Sequence, residues 1–110
     1  MEPRMTLQTQ LILQALLRHP AEELWGRKLA ELTGLMPGTA QPILMRLERA
    51  GWVKSHRESA EQAHTEGRPA RRYFALTADG AIKASEALAE ARRPRSSALR
   101  GLAEQPGLLP

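Results

Sequence analysis

The chain has 110 residues, 16 Lys+Arg against 12 Asp+Glu for a net charge of +4, and no cysteine. That length holds one small domain with a single core. The missing cysteines exclude a disulfide framework or a thiolate metal site and fit a reducing, cytoplasmic setting, and no run reaches the ~18 apolar residues that a membrane span needs.

Thr6 to His19 reads as the first helix, with Thr6 as its N-cap and Pro20 as its stop. Leu7, Leu11 and Ala15 share one face, whereas Leu13, Leu16 and Leu17 point away from it. A helix apolar nearly all round is buried on more than one side. One side is the core. The other is either a subunit interface or a surface wrapped by the chain's own C-terminal segment. The interface reading takes Leu7, Leu13, Leu16 and Leu17, with Ile82 and Leu88 from the last helix, as dimer contacts.

Glu22 to Trp25 is a short connection with room for a strand of two or three residues. Arg27 to Thr33 forms the second helix, and Ala30 followed by Gly34 is the spacing of a helix-turn-helix. The third helix runs from Pro37 or Gly38 to Ala50. Its core face is Ala40, Ile43, Leu44, Leu47 and Ala50. Gly38, Gln41, Pro42, Met45, Arg46 and Arg49 lie opposite. Pro42 is placed in the first turn or so, where its missing N–H costs little. Gly51 suits a left-handed helix end.

Two β-like runs follow, Trp52–Arg57 and Arg72–Leu76, joined by a polar segment without periodicity that closes on Gly67-Arg68-Pro69. This reads as a hairpin with a long mobile tip, the wing of a winged helix. Tyr73 and Phe74 point to opposite sheet faces, so at most one enters the core. Trp52 reads as core packing under the wing, with stacking on a planar ligand as the other option. Thr77 caps a last, alanine-rich helix ending near Arg92, with Asp79 in its first turn. Residues 1–92 then form the domain and 93–110 a flexible tail.

Catalysis finds little support. The single aspartate is explained by a helix start, and no serine has the glycine framing of a nucleophile elbow. His19, His56 and His64 are too scattered for a metal cluster, and Gly67-Arg68-Pro69 lacks the glycines and Lys-Ser/Thr of a phosphate loop. No cofactor is expected.

Nucleic-acid binding gains from placement. Arg46 and Arg49 sit on the outward helix face, while Lys54, Arg57, Arg68, Arg71 and Arg72 line the hairpin. Helix and wing are the elements that touch groove and backbone together. The competing reading is a solvated face, with Arg46 and Arg49 paired to Glu48 or Glu31. The expected DNA contacts are therefore Pro37, Gly38, Thr39, Gln41, Pro42, Met45, Arg46 and Arg49 from the helix (about 37–50). The wing (about 53–76) adds the five hairpin bases.

The strings Gly38-Thr39 with Pro42, Arg46-Leu47-Glu48-x-Ala50-Gly51-Trp52, and Gly67-Arg68-Pro69-Ala70-Arg71-Arg72-Tyr73-Phe74-x-Leu76-Thr77 carry a family likeness. From about Leu7 to Arg92 the chain resembles the PadR-like winged helix-turn-helix transcriptional regulators. It departs from them at Gln41, where the family usually has tyrosine, and at Arg27, where an aromatic commonly stands. The resemblance implies a mainly α fold with a small β-hairpin (α+β) and a homodimer built by the first and last helices. It further implies a repressor of a palindromic double-stranded DNA operator, in a short form with one C-terminal helix. Two other readings stand beside it: a winged-helix protein-interaction module, and a sensor holding a small-molecule effector at the dimer interface.

Overall fold

The structure, a computed structural model, describes residues 2–20 and 22–92; the expected 93–110 tail lies outside them. The elements run α1 (Leu7–Arg18), β1 (Leu24–Trp25), α2 (Gly26–Thr33), α3 (Pro37–Arg49), β2 (Val53–Arg57), α4 (Ala60–Thr65), β3 (Arg72–Leu76) and α5 (Ala78–Ala91). The fold is mainly helical, with one small antiparallel sheet in the order β1-β3-β2. Three helices start on a hydroxyl cap. Thr6 accepts the Thr9 N–H at 3.2 Å, Ser59 the Gln62 N–H at 3.1 Å, and Thr77 the Gly80 N–H at 2.8 Å.

The first helix is buried on several sides because the chain wraps it. α1 touches α2 and α3 as well as α5 and β3. Leu13, Leu16 and Leu88 are 0%, 2% and 5% exposed, in one cluster with Leu29, Leu44, Leu47 and Phe74. This corrects the expected interface: those three leucines are core. Leu17 is half-buried against the same cluster, and only Leu7 and Ile82 remain exposed.

α3 ends as its sequence dictates. The Trp52 N–H donates to the Leu47 carbonyl and the Gly51 N–H to the Glu48 carbonyl, each at 3.0 Å, with Gly51 at φ 82°. A left-handed residue is required there, and glycine takes that conformation without strain. The turn delivers Trp52 (3% exposed) and Val53 (2%) into the core at the head of β2. α5 docks on the same turn, the Thr77 hydroxyl donating to the Gly51 carbonyl at 2.8 Å.

Two expectations fail in detail. Pro42 is the sixth residue of α3, inside the helix, so it denies the Gly38 carbonyl its partner. Both residues are exposed, and water can serve that carbonyl. The wing tip, expected to be without periodic structure, folds into the short helix α4. A hydroxyl cap and the burial of Ala63 (2% exposed) hold six polar-rich residues helical.

Candidate nucleic-acid interface

α3 presents one open face. Pro37, Gly38, Thr39, Gln41, Pro42, Arg46 and Arg49 are exposed, and Met45 is half-buried. The N-cap, Met36, makes no side-chain bond to the first turn. Pro37 has no N–H, and the Thr39 and Ala40 amides donate to the Met36 carbonyl at 2.9 and 3.0 Å, which leaves the Gly38 amide as the open donor of the first turn. Neither suggested carboxylate pairs with the helix arginines. Glu48 accepts a hydrogen bond from the Ser55 hydroxyl, and Glu31 reaches Arg27 at 4.0 Å. Among the described residues, the side chains of Arg46, Arg49, Lys54 and Arg57 make no hydrogen bond or ion pair.

The wing strands bring two arginines together. In the β2–β3 register Arg57 lies directly opposite Arg72, both exposed and on the side of the sheet that carries Phe74 into the core. Arg72 Nη1 donates to Ser55 Oγ at 3.0 Å, and Ser55 donates onward to Glu48 of α3. That relay ties the base of the wing to the helix beside it. Lys54 is exposed on the other sheet face.

The other two expected wing contacts are occupied. Arg68 is only half-buried, yet its guanidinium grips the buried Glu58: Nη1 donates to Oε1 at 2.5 Å and Nη2 to Oε2 at 2.8 Å. Glu66 accepts a further bond from Arg68 at 3.2 Å. Arg68 is therefore removed from the candidate contacts, its fork being satisfied by carboxylates. Arg71 lies 4.1 Å over the Trp25 ring, a cation–π contact that holds it against the sheet. Arg68 lowers the Glu58 carboxyl from the ordinary 4.5 to about 2, burial opposing it and the Arg71 N–H and Tyr73 hydroxyl assisting. The same partnership raises Arg68 further above its usual range.

Opposite the core, the sheet carries a row of rings. Trp25, Tyr73 and His56 pair across the three strands; Tyr73 meets Trp25 edge-on at 6.0 Å and stacks on His56 at 5.5 Å. His56 Nδ1 lies 3.0 Å from Glu23. Phe74, on the other face, is 1% exposed, as the alternation requires. Glu58, Ser55 and Trp25 were not among the expected site residues. Their partners lie in α3, in β3 and in the loop before it, and only the tertiary fold joins them.

The described residues contain no group of His, Asp and Glu able to hold a metal ion. Nor do they include a helix long and apolar enough to cross a membrane. What the assembled site can do is bind anions: arginines on α3 without a partner among the described residues and the arginine rung on the wing share one surface chemistry.

Residues 22–86 match the transcriptional regulator PadR-like family. Among solved structures, MepR, a transcription regulator of the Staphylococcus aureus multidrug efflux pump MepA, superposes with a TM-score of 0.61 at 21% identity, covering 87% of this chain and 64% of that one. A putative DNA-binding protein from Ralstonia eutropha gives 0.59 at 21% identity, covering 76% and 96%. NadR, solved with 4-hydroxyphenylacetate, gives 0.59 at 28% identity, covering 89% and 62%. The chain thus spans less than two thirds of MepR and of NadR. No curated protein sequence matches it.

Proposed function

This chain belongs to the PadR-like family of transcriptional regulators, and on that premise we propose that it is a sequence-specific, homodimeric, cytoplasmic repressor that grips double-stranded DNA with α3 and the wing strands. The working unit is residues 1–92. α3 lies in the major groove with Gly38, Thr39, Gln41 and Arg46 toward base edges, and Pro37, Pro42, Met45 and Arg49 flank them. Arg57 and Arg72 hold the backbone, and Lys54, on the other face of the same sheet, adds positive charge to the wing. Two copies place their α3 helices about 34 Å apart on a palindrome.

The observation that carries this reading is the Arg57–Arg72 rung. Like charges directly opposite one another in a sheet are destabilising. No carboxylate pairs with either arginine among the described residues. A phosphate is the counter-charge that turns the rung from a cost into a contact. Salt-titrated binding tests it: each phosphate contact contributes about 0.9 to the salt slope, so Arg57→Ala with Arg72→Ala should lower it by about two. An unchanged slope would move the assignment to a protein-interaction module.

A sensor role is the second reading. A cleft of about 620 Å³ lies between the N-terminal arm and α5, lined by Met5, Gln10, Trp52, Lys83 and Glu86 among others. Its size suits a small molecule, and NadR was solved with 4-hydroxyphenylacetate.

A further inference from the structure

We propose that Glu58, an anion, is the positioning residue of the DNA-gripping wing: by clamping Arg68 and the Arg71 backbone it fixes the strand rung next to Arg57 and Arg72. This rests on the DNA-binding reading above and adds to it a residue that never touches DNA.

The geometry is that of a latch at the strand ends. The Glu58 N–H donates to the Arg71 carbonyl at 2.7 Å, extending the β2–β3 ladder one rung beyond the paired arginines. The Glu58 side chain, buried at 6% residue exposure, then accepts from both Arg68 Nη atoms, from the Arg71 N–H at 3.4 Å and from the Tyr73 hydroxyl at 3.1 Å. The intervening segment folds back on itself, the Arg68 N–H donating to the Ala63 carbonyl of α4 at 3.1 Å. One carboxylate therefore joins β2, the return of the loop and β3.

Two forces work against order at this place. Arg57 and Arg72 repel each other across the strands, and residues 58–71 must close a long loop. Loss of the latch frees both strand ends, and the two arginines cease to present a fixed spacing to a phosphate. With Glu58 ionised down to about pH 2, the latch is charged at every pH at which the protein would meet DNA.

The proposal makes a prediction opposite in sign to bare electrostatics. Glu58→Gln removes a negative charge, and by charge alone it should tighten binding to a polyanion. The latch requires the reverse: binding to a short labelled duplex of mixed sequence weakens about tenfold, the scale of one or two phosphate contacts, and the salt slope falls. Adding Arg68→Ala to Glu58→Gln costs nothing more, since both break one pair. Arg68→Lys keeps its charge but loses the paired fork, so it weakens binding too. Tyr73→Phe, which deletes one hydroxyl, serves as the mild variant should Glu58→Gln fail to fold, with a smaller loss. Hydrogen exchange is the second readout, with faster amides at Arg68 and Arg71 and unchanged amides in α1 and α3. Glu58→Gln, or Tyr73→Phe in its place, binding as tightly as the wild type or tighter, overturns the proposal. Wild-type protein that fails to bind the duplex at all sinks the DNA-binding reading instead, and the latch role with it.

Discussion

Gln41 occupies the most informative single position on the groove face. It is exposed, and its Oε1 would lie 3.4 Å from a Cβ placed on Gly26 at the start of α2. If Gln41 reads a base, Gln41→Ala costs roughly 1–3 kcal/mol on the specific site and little on random DNA. Equal losses on both would show that it does not. Glu58 makes a prediction about acid. Its folded-state pKa, about 2, lies below the ordinary 4.5, so the folded protein binds fewer protons than the unfolded chain between those values. The stabilisation is full above pH 4.5 and disappears as pH falls toward 2. The melting temperature of the wild type should therefore converge on that of Glu58→Gln across this window; a constant gap would contradict the assignment.

At the scale of elements, the decisive joint is where α5 meets the exit of α3. Gly80, in the first turn of α5, lies so close to Trp52 that any Cβ would overlap the Trp52 carbonyl. In parallel the Thr77 N–H donates to that same carbonyl at 2.9 Å. Gly80→Ala must push α5 off the turn. An overpacking cost of about 1–3 kcal/mol follows, seen as a drop in denaturation midpoint. Gly38→Ala, where the added Cβ meets open space, is the control. The wing is the second such joint. Arg72, Ser55 and Glu48 connect β3 through β2 to α3, so helix and hairpin are oriented together rather than by a flexible hinge.

For the whole molecule, assembly depends on the apolar surface that the folded chain leaves open. Leu13→Glu would place a carboxylate in a site with 0% exposure and should unfold the monomer. Leu7 and Ile82, at 70% and 60% exposure, are the large apolar residues of α1 and α5 left for a partner. Ile82→Glu should therefore leave the circular dichroism spectrum intact while shifting sedimentation from dimer to monomer, and DNA affinity should fall with it. A monomeric wild type that still binds a palindrome tightly would rule out the dimer.

Much of this was legible in the chain itself. Hydroxyl caps at Thr6 and Thr77, the Gly34 and Gly51 stops, and the 3.6-residue spacing of Ala40, Ile43, Leu44 and Leu47 fix helices through interactions a few residues apart. The alternation of Tyr73 and Phe74 likewise fixed that at most one of them enters the core, and packing made it Phe74. The sequence also named the free arginines of α3 and the wing strands. It could not say which cations were already taken, because Arg68 meets Glu58 where the loop between β2 and β3 folds back, and Arg71 meets Trp25 of β1 from the other end of the chain's wing. Nor could it decide whether Leu13, Leu16 and Leu88 face a partner or the domain's own core. Periodicity reports that a face is apolar, and only tertiary packing supplies what covers it.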